Sequence, residues 1–454
     1  MLGHDRQGTA GSGGEGRGDD GRGRPLIDLS GPGDRVRRLG ISRSTDRRIT
    51  AAGLALAGGF LFLAGVALLL PPGARHGAWL PLHLALAGGG GTAVAAAMPF
   101  FSGALSAGPP AEPRLRGLSL AGISIGALLV AGGFSSGRDP VAVFGGLAYL
   151  GGLTALLAAI LLPLRSGLGP RGWIVVAAYV VAVLDVLAGA TLATTYLAGV
   201  PAVVGAWATL KPAHAWINLL GFLSLIIAGS LIHLLPTVLG TRISSSPSAW
   251  LAVGGTALGA PVVALGFGLG AGVLAKLGAL VAIAGAVGLL VYGLGILRAR
   301  GHWTTDPDWH LLTTGQLLGA MAWYAVAVLL AGGRVLVVGV TADGWRLTDV
   351  AAPLVVGWVV GAILGASTHL LPAVGPGDGA AHAAQRRRLA MWAPARLIGF
   401  QLGTAVLAVG LLAGIDAAAV LGLILVSVAG LADLALLASA MTLARGARIG
   451  ADAP

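Results

Sequence analysis

The sequence predicts an all-α polytopic membrane protein of about twelve transmembrane helices, arranged as three pseudo-repeats of four, with both termini cytoplasmic. Three observations lead there. The 454 residues are 56% hydrophobic and only 10% charged, with a mean hydropathy of +0.86, and long apolar runs recur along nearly the whole chain. The basic residues gather in tails and in alternate short loops. A segment near the middle of the chain is copied, in the same orientation, near its end.

Composition narrows the chemistry before any motif is read. There is no cysteine, which removes disulfides, iron–sulfur clusters, thiolate metal sites and cysteine nucleophiles. A metal or haem would have to be held by His, Met, Asp, Glu or backbone. The formal net charge of +11 would suit nucleic acid, but the basic residues flank apolar segments, which is how membrane topology is written. The partner implied by composition is the lipid bilayer of the plasma membrane.

Residues 1–48 are rich in Gly, Arg and Asp, with ten arginines and few apolar residues, and read as a disordered basic cytoplasmic tail. The basic stretch is too long for a signal peptide. The membrane domain covers 49–443, with spans near 49–70, 79–100, 118–134, 140–164, 172–198, 212–238, 249–269, 272–297, 308–331, 350–373, 390–413 and 415–443. The turn between the seventh and eighth, at Gly268 to Gly272, is the weakest boundary. A short cytoplasmic tail, 444–454, closes the chain. With the N-terminus inside, the inside segments carry Arg114, Arg116, Arg165, Arg171, Arg242, Arg298, Arg300, Arg386, Arg387, Arg388, Arg445 and Arg448. The outside loops carry only Arg75, Arg138, Lys211, Arg334 and Arg346. That asymmetry supports twelve spans.

The sixth span, within Pro212–Arg242 (PAHAWINLLGFLSLIIAGSLIHLLPTVLGTR), carries a histidine near each end. The steps from His214 to His233 cover roughly 28 Å of helix, close to the hydrocarbon thickness of a bilayer. Gly221 to Val238 aligns without gaps on Gly357 to Val374 at a constant offset of 136, with His233-Leu-Leu-Pro matching His369-Leu-Leu-Pro and eight of 18 positions identical. The spacing of His83 and Gly88 is echoed by Trp216 and Gly221 and by His310 and Gly315. Spans two, six and ten lie four apart, hence three repeats of four. Topology puts His83 and His214 at outer-leaflet depth, and His233, His369 and His310 at the cytoplasmic end.

Each constellation has a structural and a functional reading. Gly221, Gly229 and His233 share a narrow helical arc, as do Gly357, Gly361, Gly365 and His369. Such a lane either lets helices pack closely or seats a planar macrocycle above an axial ligand. Pro236 and Pro372 loosen the helix after each inner histidine, so His233 and His369 either cap exposed carbonyls or ligate metal or haem together, assisted by His310. His83 with His214 is the second candidate site, with Asn218 placed to orient His214; a histidine beside Trp79, Trp207 and Trp216 also fits an aromatic belt. Among intramembrane charges, Arg396 and Asp433 lie at similar depth on consecutive helices and are expected to pair. Asp185, in mid-span, has no evident partner and is the candidate proton-relay or ion-path residue. Gln316, Tyr292 and Gln401 add polarity without a motif.

The sixth span resembles the ligand-bearing helix of the haem–copper oxidase superfamily, in which a His-x-His start is followed by a Gly, small residues and a Leu-Pro end. The chain is similar to subunit I of that superfamily, most closely to the membrane region of actinobacterial copper oxidases associated with multicopper, nitrite-reductase-like domains, and more distantly to NnrS-like haem and copper proteins. The resemblance implies haem b or copper as cofactor and a multicopper or cytochrome electron-transfer partner. It does not extend to dioxygen reduction. Trp216 stands where a second histidine would be, no His-His pair follows on the seventh span, no His-x-x-x-Tyr occurs on the sixth, and the tenth starts Val350-Ala-Ala-Pro without histidines. The expectation is a haem- or copper-binding membrane protein of electron transfer, metal handling or nitrogen-oxide metabolism. Its alternatives are a twelve-helix secondary transporter and a cofactor-less scaffold or assembly subunit.

Overall fold

The computed structural model describes residues 32–106, 109–166, 172–243, 246–300, 310–375 and 378–451. The chain forms two units. The first, 1–44, has a helix over its described residues, 32–44. The second, 45–454, holds the spans. Most of the expected basic tail, 1–31, lies outside the described residues. Thr45 to Arg48 belong to the membrane unit. At the other end helix continues to Ala451, and 452–454 lie outside.

The described residues include twelve helices long and apolar enough to cross a membrane: α1 Arg48–Leu68, α2 Trp79–Ser106, α3 Pro113–Ser135, α4 Asp139–Arg165, α5 Trp173–Leu197, α6 Trp207–Val238, α7 Pro247–Leu269, α8 Gly272–Arg298, α9 His310–Val338, α10 Ala342–Ala373, α11 Ala393–Ala413 and α12 Asp416–Leu443. Proline in the first turn starts α3, α4, α7 and α11, where its missing N–H would have had no partner anyway. A further short helix, Gly379–Ala390, precedes α11 and is N-capped by Asp378, which accepts from the Ala381 amide at 2.8 Å. No apolar stripe alternates with a polar one on most spans, because both sides are apolar and differ in size instead. On α7, Ala249, Ala252, Gly255, Gly259 and Gly266 are buried, while Trp250, Leu251, Leu258 and Leu265 face outward. Large side chains meet lipid and small ones meet helices.

The tightest pairs in the fold are α3–α4, α7–α8 and α11–α12; each pair with the two helices before it makes a set of four, termed a module. Gly122, Gly126, Gly133, Gly137, Gly145 and Gly152 recur as Gly255, Gly259, Gly266, Gly270, Gly278 and Gly285, and then as Gly399, Gly403, Gly410, Gly414, Gly422 and Ala429. The correspondence is spatial as well. A Cβ at Gly126 would stand 2.6 Å from the Tyr149 nitrogen, one at Gly259 2.5 Å from that of Ala282, and one at Gly403 2.7 Å from that of Val426. The turn between the two helices uses a left-handed residue in every copy: Gly137 (φ 65°), Gly270 (φ 65°) and Gly414 (φ 68°). Only glycine takes that conformation without strain.

The second helix of each module supplies a second common feature. A π-helical segment interrupts α2 at Leu84–Gly90, α6 at Trp216–Ser224 and α10 at Ala351–Val360. Each sets a glycine against the helix that precedes it: Gly88 against Phe60 of α1, Gly221 against Asp185 of α5, and Gly357 against Trp323 of α9. The echo at His310 and Gly315 falls on α9, outside the π segments.

Candidate functional site

His83 closes the α-helical start of α2, and the π segment begins at the next residue. His214 occupies a comparable place on α6, two residues before Trp216 opens its π segment. The two half-buried rings come together with centroids 6.5 Å apart and planes within 10° of parallel. Each ring is aimed by backbone. His83 Nδ1 lies 2.8 Å from the Trp79 carbonyl, and His214 Nδ1 lies 3.1 Å from the Gly189 carbonyl of α5. A carbonyl only accepts, so both Nδ1 atoms carry the proton and both Nε2 atoms keep a lone pair. Asn218 Nδ2 donates to the His214 carbonyl at 2.7 Å and also approaches Nδ1 at 3.1 Å. Gly189 therefore orients the ring, and Asn218 buttresses it. An aromatic row extends the pair on both sides: Phe134 to Trp79 (4.2 Å), Trp79 to His83 (4.2 Å), His214 to Trp207 (6.1 Å) and Trp207 to Tyr196 (4.0 Å).

Below this pair, the seam between α5 and α6 stays polar. His214, Asn218 and Gly221 fall on one face of α6 and meet Gly189 and Asp185, one turn apart, on α5. A Cβ at Gly189 would collide with the Asn218 amide, and one at Gly221 would stand 2.6 Å from Asp185 Oδ2. Asp185 is 6% exposed, and its Oδ2 has no hydrogen-bond partner among the described residues.

At the opposite end of α6 and α10 lie His233 and His369, the second expected pair. No hydrogen bond or ring contact joins the two among the described residues. His369 instead lies within electrostatic reach of His310, the first residue of α9, and both are buried. Depth along two helices set these histidines level, but the rotation of each helix decides which rings meet. His233 is half-buried beside the break made by Pro236. Pro236 cannot donate to the Ile232 carbonyl, and Tyr292 of α8 donates to it instead at 2.7 Å. That assigns Tyr292 a structural role.

Arg396 and Asp433 pair as expected, at 3.0 Å and almost wholly buried, and Arg396 also donates to the Leu389 carbonyl at the end of the short helix. Three polar clusters escaped the sequence reading. Arg116, fully buried, pairs with Asp46 and donates to Thr50 Oγ1 (2.9 Å) and the Ala96 carbonyl (2.7 Å). Trp323 donates to Gln401, which donates in turn to Gln316 at 3.1 Å. Trp358 of one π segment donates to Ser224 of another at 3.0 Å, while Ser224 donates to the Leu219 carbonyl at 2.7 Å. Short polar side chains in apolar runs carry no motif, so only Arg116, an arginine inside a span, left a trace in the sequence.

Among the described residues no three or more His, Asp or Glu side chains gather as a metal site. What the fold offers is pairs. A scan against protein-family models finds no match, and a comparison with curated proteins finds no similar sequence. The chain is an all-α polytopic membrane protein of about twelve spans.

Proposed function

We propose that this membrane protein holds haem between His83 and His214 and serves electron transfer. The supporting observation is the parallel imidazole pair, each Nδ1 spent on a backbone carbonyl. With Nδ1 engaged, Nε2 of each ring, with its lone pair, is the atom that would ligate a metal, and the two parallel rings lie 6.5 Å apart. His83 and His214 would be the protein ligands of a bound haem; three or more His, Asp or Glu side chains that could hold a copper ion do not gather among the described residues. Haem bound there would supply a one-electron couple. The protein's part is to fix both rings in one tautomer, through Trp79 and Gly189, and to flank them with Trp79 and Trp207. An electron partner such as a multicopper or cytochrome protein would meet the bundle at this end. The arginine distribution supports an orientation with the N-terminus in the cytoplasm and this end outside.

The test is the optical spectrum and metal content of protein purified in detergent, before and after addition of haem. A Soret band is expected that disappears in His83→Ala and in His214→Ala and persists in His233→Ala and His369→Ala. No band and no stoichiometric iron would sink the proposal. A second reading, an ion-coupled transporter or a cofactor-less scaffold, needs no ligand set beyond what the described residues carry, and the polar α5–α6 seam ending at Asp185 favours transport. Substrate-driven uptake into proteoliposomes by protein without haem would select transport.

A further inference from the structure

The place against the π-segment glycine shows what each module requires there. Phe60 fills it in the first and Trp323 in the third, so the fold asks for bulk at that point. The second module puts a carboxylic acid there. Asp185 is 6% exposed and lies in a transmembrane helix, where an unpaired carboxylate is costly and the neutral acid is not.

We propose that Asp185 is a proton-binding site, loaded and emptied along the α5–α6 seam past Asn218. The inference holds for either reading of the function. Five helices pack on α5, and their titratable groups are His83 of α2, Asp139, Tyr149 and Arg165 of α4, and Lys211, His214 and His233 of α6; α7 and the short helix Pro201–Gly205 have none. None of them makes a hydrogen bond or ion pair with Asp185 among the described residues. The two faces of the carboxyl's surroundings differ. Toward α6 the carboxyl abuts Gly221, which itself has no side chain to solvate a charge. One turn away, Gly189 leaves the room that the Asn218 amide occupies. His214 lies roughly 10 Å further along α6, at 1.5 Å per residue from Gly221, so the seam leads from Asp185 to the end of the bundle. Loading forms the O–H bond on Asp185 from a proton delivered along the seam, and emptying returns that proton and leaves the carboxylate; no other group is consumed.

The experiment is infrared difference spectroscopy of the full chain in lipid nanodiscs, stepped in pH. A protonated-carboxyl band is expected whose intensity follows pH, which moves on transfer to heavy water and which is lost in Asp185→Asn. Asp46, Asp433 and other acids contribute equally to wild type and variant, so the difference isolates Asp185. Asp185→Phe places at this point the residue that Phe60 provides in the first module, and should fold while losing the band, which guards against misfolding of the Asn variant. Gly221→Ala crowds Oδ2 and should shift the titration midpoint with the band retained. A band at every accessible pH, or no band assignable to Asp185, would overturn the proposal. Loss of haem in the His83 or His214 variants leaves this band in place, so the two proposals fail separately.

Discussion

Neighbouring glycines on α7 offer a direct test of the frame that positions the site. A Cβ at Gly254 would meet nothing within 4 Å, whereas one at Gly255 would stand 2.5 Å from the Gly285 Cα and 2.9 Å from the Val281 carbonyl of α8. Both replacements by Ala gain about 0.5–1 kcal/mol of helix propensity. That gain is common, so the difference between the variants isolates the steric cost. Carbon atoms rest about 3.5–4.0 Å apart, so Gly255→Ala must push two backbones about 1 Å apart along a seam that has no flexible side chain to yield. Overpacking of this kind costs about 1–3 kcal/mol. The pair should therefore separate by about that amount in denaturation by SDS in mixed micelles, with Gly254→Ala at or above wild type. The other modules extend the series. A Cβ at Gly122 would lie 2.7 Å from the Gly152 Cα, but one at Gly399 would lie 3.5 Å from the Ala429 Cβ, an ordinary contact. Gly122→Ala should resemble Gly255→Ala, and Gly399→Ala should be mild. Equal stability of the Gly254 and Gly255 variants would refute the close approach of α7 and α8, and with it the module boundary.

The buried pair Arg396–Asp433 makes a second case: Arg396→Met strands a carboxylate that is 3% exposed and should cost about 3–5 kcal/mol, while adding Asp433→Leu should recover most of it. Chemical unfolding of the three proteins measures this, and a double variant as weak as the single one would deny the coupling. Orientation is also open to test because the chain has no cysteine. Gly73→Cys, in the α1–α2 loop, should react with a membrane-impermeant maleimide on intact cells, and Ile243→Cys, between α6 and α7, only after permeabilisation; the reverse pattern would invert the topology.

Length and hydropathy made the twelve spans legible, with most ends within three residues and the largest misses at the end of α2, the end of α9 and the start of α10, which the helices pass by six, seven and eight residues. Even the weak seventh-to-eighth turn is fixed by Gly270, the left-handed residue after α7. The first module was harder to see. The His-Leu-Leu-Pro ends that mark α6 and α10 have no copy on α2. The glycine register carries all three modules, but with 76 glycines in the chain many alignments look alike. Contact with a partner backbone separates structural glycines from incidental ones. The meeting of His83 and His214 followed from topology, since two helices starting on one side bring their first residues level. His233 and His369 satisfied the same test but share no ring contact among the described residues, and depth alone leaves helix rotation undetermined. The π segments have no residue signature at all.

The modules share one backbone frame and differ in what they place on it. The frame sets a glycine of each π segment against the preceding helix and accepts a phenyl or an indole ring there. An acid at that point in α5 is therefore not demanded by packing, and the same holds for the imidazoles: counted back five residues from the π-segment glycine, α2 has His83 and α6 has Trp216, which is buried in its π segment, while His214 lies two residues earlier. Small residues account for the close approach of the helices, while the residues that break the pattern collect where α2, α5 and α6 meet. That meeting place, spanning the first and second modules, is where symmetry explains least of the sequence, and chemistry has most to explain.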